Sequence, residues 1–392
     1  MSNNDIVIVA ARRTPIGAFQ GGLAPLSAPR LGAAAIRAAL EDAGVAPADV
    51  SELIFGCVLP AGIGQAPARQ ASLAAGIPES VGCSTLNKVC GSGMKAVMIG
   101  HDTLAAGSAS VVVAGGMESM TNAPYLLPKA RQGYRMGHQE VLDHMFYDGL
   151  QNPYDGQMMG HFAEETAAKY GFSREAQDKF AIESVTRAVR ASEAAFDAEV
   201  VPVTVKTRKG ESEVGRDEEP FRCDIDRIPS MRPAFRKDGT VTAASSSSIS
   251  DGAAALVLMT AAEAESRNLT ALARIVGHGG FAQAPEWFTT APVAAIANLL
   301  ERVGWSTDEV DLYEINEAFA VVTMAAIHDL KLDPEKVNVN GGACALGHPI
   351  GATGARILVT LVHALRARGL KRGIASLCIG GGEATAVAVE AL

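Results

Sequence analysis

Two cysteines and a histidine stand in segments whose glycine content lets a ligand approach the backbone, and an asparagine follows a short strand-like run. Cys90 lies in Asn87-Lys-Val-Cys-Gly-Ser-Gly93, directly ahead of a stretch with helical spacing that begins near Ser92. A thiol there faces unpaired N–H groups and the positive end of a helix dipole, which favours thiolate and makes a nucleophile. By residue type alone, a buried structural cysteine beside a tight turn fits as well. His348 sits in Gly341-Gly-Ala-Cys-Ala-Leu-Gly-His-Pro-Ile-Gly-Ala-Thr-Gly354. Pro349 restricts it to extended geometry and so aims the imidazole, as a general base requires; a satisfied polar histidine is the other reading. Cys378 closes the apolar run Ile374 to Leu377 ahead of Ile379-Gly-Gly-Gly382. N–H groups beside a thiol suit an oxyanion site, although a small hydrophobe ending a strand has the same pattern. Asn316-Glu-Ala-Phe319 follows the strand-like Leu312 to Ile315, where it either emerges near the same sheet edge or caps a helix starting near Ala318.

The elements that must position these residues read as strands alternating with helices. Asp5 to Val9 is a β-branched run, and Leu31 to Asp42 has helical spacing before Gly44. Leu53 to Leu59 reads as a buried strand, Gly93 to Ala106 as a helix, and Ser110 to Ala114 as an apolar strand bounded by Gly115-Gly116. Continuous apolar strands indicate a sheet covered on both faces. The order then recurs: Gly44-Val-Ala-Pro-Ala-Asp-Val50 before Leu53 matches Gly304-Trp-Ser-Thr-Asp-Glu-Val310 before Leu312. Cys90 to Gly116 and His348 to Gly382 likewise repeat loop, helix and strand ending in glycines. A duplicated α/β fold with a pseudo-two-fold axis follows. Between the repeats, Thr121 to Thr242 changes composition and reads as an insertion, with one amphipathic surface helix from Ser173 to Phe196, Ser173 as its N-cap.

Composition limits the classes. The chain has 392 residues, 48% hydrophobic and 20% charged, which excludes disorder and leaves room for two or three packed domains. With 34 Lys+Arg against 43 Asp+Glu the net charge is −9, so nucleic acid and anionic membrane gain no general attraction. Six cysteines without paired short spacings read as free thiols in a reducing compartment, and no zinc-type cluster is present. No basic region precedes the first apolar stretch, so a cytoplasmic protein without a signal peptide is expected. The uncharged run Val337 to Ala355 is broken by glycines, a proline, a histidine and two asparagines, and reads as a functional loop, not a membrane span.

With Asn87 to Gly93, Asn316 to Ala320, Gly341 to Gly354 and Cys378 to Gly382 in this order and spacing, the chain resembles the thiolase family, closest to its acetyl-CoA acetyltransferases. Ala114-Gly-Gly-Met-Glu-Ser-Met120, Tyr134-Arg-Met-Gly137, Gly239-Thr-Val-Thr-Ala243 and Asp251-Gly-Ala-Ala-Ala255 extend the likeness over the whole chain. The resemblance implies a thiolase-like fold of two similar mixed-sheet halves, layered α-β-α-β-α. Residues 1–120, completed by 243–270, would form one half and 271–392 the other, with 121–242 an inserted loop domain for CoA binding and oligomerisation. It makes Cys90 the acylated nucleophile, His348 its base and Cys378 the acid/base at the α-carbon. Asn316 would order a water in an oxyanion hole completed by His348, and the N–H groups of Cys90 and Gly380 would form a second hole. Arg222, Ser247, Met136, Leu150, Met159, Phe235, Ala318 and Phe319 match the family's ligand-contacting positions.

The implied reaction is ping-pong condensation of two acetyl-CoA to acetoacetyl-CoA plus CoA, and the reverse thiolysis, by a homotetramer. No metal or resident cofactor is implied, since CoA thioesters are the substrates. Met158 ahead of Met159-Gly160, Phe288 in Trp287-Phe-Thr-Thr290, and Ser245 and Ser250 depart from the short-chain pattern and leave a broader-chain 3-ketoacyl-CoA thiolase open. A decarboxylating synthase would need two His or His plus Asn where Cys378 stands. A Cys/His hydrolase and a non-catalytic CoA- or lipid-binding scaffold remain as rivals.

Overall fold

The protein is described by a computed structural model covering residues 2–208 and 210–392. Among the described residues, nine strands form the continuous path of the main sheet, β1 Ile6–Arg13, β2 Glu52–Gly56, β3 Gly82–Leu86, β4 Val111–Ser119, β5 Ser250–Thr260, β6 Ala273–Ala282, β7 Leu312–Ile315, β8 Arg372–Ile379 and β9 Glu383–Ala391, and a tenth, the short Gly17–Ala18, pairs with β5 beside it. Their spatial order is β7-β8-β9-β6-β1-β5-β4-β2-β3. From the β1/β6 junction outward, β1-β5-β4-β2 has the same order as β6-β9-β8-β7, which is the duplication the sequence predicts. The two halves are hydrogen-bonded edge to edge into one continuous sheet, through a short antiparallel pairing of Val7 and Ile8 with Arg274 and Ala273.

Helices α1 Ala28–Ala43, α2 Pro67–Ala74 and α3 Ser92–Ala105 belong to the first half; α6 Ala291–Val303, α7 Ala320–Leu330 and α8 Thr353–Ala367 belong to the second. Residue alternation along the strands sorts them into layers. Val7 and Val9 face α1 and α2, while Ile6 and Ile8 face a central core made with α3 and α8. That core also takes Ala375, Leu377, Val387 and Val389 from the second half, whose other face, with Ile374, Ala386 and Ala388, packs on α6. The result is helix, sheet, helix, sheet, helix, with α3 and α8 between the sheet halves.

The region between β4 and β5 contributes α4 Met159–Tyr170, α5 Arg174–Ala191 and a hairpin of Val203–Thr207 with Gly210–Val214. Ser173 Oγ accepts the Ala176 N–H, as an N-cap does, but the helix stops at Ala191, short of Phe196. Two strand boundaries also differ from the sequence reading. The strand predicted to end before Gly115-Gly116 runs on to Ser119. Those glycines do not terminate it; side chains there would collide with Ala254 O and Gly351 O, so they mark close backbone approach. The strand predicted over 53–59 stops at Gly56, because the Glu118 carboxylate takes the N–H groups of Val58 and Leu59 out of the ladder.

Candidate active site

Cys90 is placed by the edge strand β3 and the turn that follows it. Asn87 Oδ1 accepts the Val89 N–H at 2.9 Å, and Ser92 Oγ accepts from Lys88 N at 2.8 Å while donating to Val89 O at 2.6 Å. Val89, a β-branched residue, is held at φ 46°, a costly conformation that the surrounding bonds impose. A side chain at Gly91 would collide with Ile379, so its absence lets the nucleophile turn lie directly on the end of β8. There the N–H groups of Gly380 and of Cys90 itself are turned towards the Cys90 sulfur. Burial nevertheless pushes the thiol up to about 11, outweighing those two donors. The lowered thiol pKa anticipated from the helix terminus is therefore corrected: desolvation of the anion dominates, and the resting group is a neutral thiol.

His348 is 5% exposed, with its N–H bonded to Ser248 O at 3.0 Å. Its tautomer follows from the hydrogen bonds. Thr353 Oγ1 donates its proton to Pro349 O at 3.0 Å, so it accepts from His348 Nδ1 at 2.7 Å. The lone pair is then on Nε2, which is buried and has no partner within the chain. Burial, and next the Arg356 charge, draw the imidazole pKa down to about 3. A neutral imidazole with a free lone pair is what a general base needs.

Cys378 is fully buried at the end of β8, and burial together with the neighbouring Cys90 raises its thiol well above the usual range. It shares one apolar cluster with Phe288, Ala318 and Phe319, against which Met159 and Phe235 pack. Ser247 donates both its N–H and its hydroxyl to Ala318 O at 3.0 Å. Leu150 packs in the adjoining cluster with Cys90 and Ile350. Asn316 follows β7, is 1% exposed, and leaves both amide atoms without a hydrogen-bond partner. Buried polar groups are paired in the great majority of cases, so these orphans point to a ligand or a water.

Two residues singled out in the sequence stand apart. Met136 is 92% exposed on a segment, 131–141, whose every residue is exposed, and it does not join the cluster of its own chain. Arg222 lines a surface hollow with Arg216, Glu218 and Phe221, its nearest acid being Glu219 at 3.8 Å.

Sequence reasoning missed two carboxylates that hold the loops. Glu118, fully buried, accepts from Val58 N at 2.9 Å, Leu59 N at 3.2 Å and Gly351 N at 3.0 Å, joining the first half to the His348 loop. Burial raises its carboxyl to about 7 against those donors. Glu317 accepts from Ser184 Oγ at 2.7 Å, Asn338 Nδ2 at 2.9 Å and Cys344 N at 3.1 Å, and so ties α5 to both loops of the second half. An acid inside an uncharged glycine-rich strand was the available signal for Glu118.

No helix among the described residues is long and apolar enough to cross a membrane. The description of the thiolase N-terminal domain matches residues 6–262, and that of the thiolase C-terminal domain matches 269–391. An acetyl-CoA acetyltransferase of Cupriavidus necator is 50% identical over 98% of this chain and 99% of its own length. One of Schizosaccharomyces pombe is 48% identical over the full length of both. The crystal structure of the Bacillus anthracis acetyl-CoA acetyltransferase superposes with a TM-score of 0.97 at 43% identity, covering 100% of both chains. Acat5 thiolase of Ascaris suum, solved in complex with coenzyme A, superposes with a TM-score of 0.93 at 43% identity over 99% of this chain and 100% of that one. Two thiols, an imidazole with a free lone pair and an unpaired amide on a duplicated sheet, matched end to end by these relatives, place the chain in the thiolase family.

Proposed function

We propose that the protein is an acetyl-CoA C-acetyltransferase that condenses two acetyl-CoA to acetoacetyl-CoA and CoA and runs the reverse thiolysis. The observation that carries this reading is the meeting of the Cys90 sulfur with the N–H groups of Gly380 and Cys90 beside a second buried thiol, Cys378. His348 Nε2 takes the Cys90 proton as sulfur attacks the acetyl carbonyl carbon. The two N–H groups stabilise the resulting oxyanion, and the CoA sulfur leaves with the proton returned by His348. A second acetyl-CoA then binds with its thioester oxygen near Asn316 and His348. His348 takes the Cys378 proton, the Cys378 thiolate removes the α-proton, the carbanion attacks the acetyl group on Cys90, and the Cys90–acyl bond breaks with the Cys90 sulfur taking the proton back from His348, which releases acetoacetyl-CoA.

Ser247, Leu150, Met159, Phe235, Ala318 and Phe319 would line the CoA channel. Arg222 from the hollow beside the hairpin, and Met136 from another copy of the chain, would complete it. The exposed face of 131–141, with Tyr134, Met136 and Val141, supports a homotetramer. No metal or resident cofactor enters this chemistry, and the reading takes the protein to act in the cytoplasm. Phe288, 3% exposed in the Cys378 cluster and edge-on to Phe162 at 6.4 Å, fills space that a longer acyl chain would need and favours the short-chain reading. Mass spectrometry of enzyme mixed with acetyl-CoA should place one acetyl group on Cys90, and Cys90→Ser should lose both label and transfer. A label on Cys378 or Cys344 would overturn the assignment.

A further inference from the structure

The C-terminal end of α3, opposite the end that follows Cys90, meets strand β6, and three potential ligand atoms converge there. His278 Nε2 lies 2.9 Å from Asp102 Oδ1 and 3.2 Å from His101 Nδ1, and His101 Nδ1 lies 3.1 Å from Asp102 Oδ1. These three contacts cannot all be hydrogen bonds when the carboxylate is ionised. If both ring nitrogens donate to Asp102, their two hydrogens face each other. If only one donates, the lone pair of the other faces a carboxylate oxygen. A cation between the three atoms satisfies all of them at once. Ligands in adjacent positions on a metal with bonds of about 2.1 Å are separated by about 3 Å, the separation present here.

The backbone aims this set. β6 pairs with β9 through a register shift between Ile275 and Gly277, so the strand's facing alternation reverses there. Ala273 and Ile275 face the central core before the shift; His278 reaches α3 after it. The rings of His101 and His278 meet edge-on with centroids 4.8 Å apart. Lys95 adds a positive charge nearby, and Arg302 spends its guanidinium on His278 O at 2.7 Å.

We propose that His101, Asp102 and His278 bind a first-row divalent transition metal ion, Zn²⁺ or Ni²⁺, as a two-histidine, one-carboxylate set with positions left open to solvent. The ion clips the first half of the duplicated fold to the second. It also anchors the far end of the helix whose start carries Cys90, roughly 15 Å away along the axis. Because the ion binds the native pair of elements and not the separated ones, it stabilises the folded state in proportion to its occupancy.

Chelator-treated protein titrated with Co²⁺, then with Zn²⁺, tests this by visible absorption and thermal unfolding. One equivalent of Co²⁺ with nitrogen and oxygen ligation is expected, displaced by Zn²⁺, with a rise in Tm. His278→Ala and Asp102→Asn should each weaken binding tenfold or more and abolish the Tm rise. Asp102→Asn keeps the side-chain shape and guards against a folding defect. A thiolate-to-cobalt charge-transfer band unchanged in both variants would put the metal on the cysteines and overturn the proposal. Absence of saturable binding in the unaltered protein would do the same.

Discussion

Strand β2 is followed by Cys57 and its counterpart β7 by Asn316; β4 carries Glu118 near its end and its counterpart β8 carries Cys378. The edge strand β3 of the first half has only a one-residue echo in the second, the parallel bridge of Val337 to Tyr313. One frame therefore serves both halves, while the polar groups at its corresponding ends have opposite fates. In the first half Glu118 takes three N–H groups and the Cys57 thiol, and is used up in holding loops. In the second half the Asn316 amide and His348 Nε2 are buried and unpaired. An unpaired buried polar group costs about 1–3 kcal/mol, so the retention of these two at the loops that carry the chemistry suits a place kept for a substrate, whereas the saturated Glu118 is structural. The first half supplies the nucleophile and the scaffold, and the second supplies the proton-transfer groups.

The largest expected effect that tests this division is at Cys378. Cys378→Ala should lower condensation and thiolysis by on the order of 10² to 10⁴, as loss of a general acid/base step does, while acetylation of Cys90 by acetyl-CoA survives. Rapid-quench labelling beside steady-state rates separates the two. An enzyme that still condenses at a near-normal rate would move the proton transfer to another residue.

Next is the charge state of the nucleophile itself. Iodoacetamide reacts with thiolate, and a thiol titrating at about 11 is protonated below that pH, so the Cys90 fraction available rises as pH rises. Alkylation measured by mass spectrometry should climb about tenfold per pH unit and so roughly 100-fold from pH 7 to 9. A plateau already at pH 7 would restore the thiolate that the helix terminus alone would favour.

The smallest effects, in kcal/mol, bear on the contrast between saturated and orphaned groups. Glu118→Gln puts an NH₂ where Leu59 N–H or the Cys57 thiol now points, and should cost about 1–3 kcal/mol in denaturant unfolding. Asn316→Ala loses no hydrogen bond within the chain and should leave stability within about 1 kcal/mol while condensation slows. Equal destabilisation by both substitutions would erase the distinction drawn between the halves.

Much of the frame was legible because its signals are local. The Gly44 to Val50 and Gly304 to Val310 repeat, the apolar strand runs and the glycine-flanked Cys90, His348 and Cys378 loops lie within short stretches. Strand ends were less legible. Glycines at 115 and 116 read as terminators, and only the packed Ala254 and Gly351 carbonyls reveal them as points of contact. The stop of β2 at Gly56 depends on a carboxylate about sixty residues away.

By itself the amino-acid sequence determined the duplicated order of strands and helices and the four chemistry-bearing residues at their ends, since periodicity, glycine placement and spacing are properties of the chain alone. Protonation was decided only by the tertiary structure. A helix start argues for thiolate at Cys90, yet the burial that comes from packing β8 against the nucleophile turn outweighs it. The free Nε2 of His348 follows from a bond to Thr353, and the position of its loop from Glu118, which meets Gly351 across 233 residues of chain. Desolvation and hydrogen bonds between distant segments exist only once the fold has closed, and they set which proton each of these groups carries.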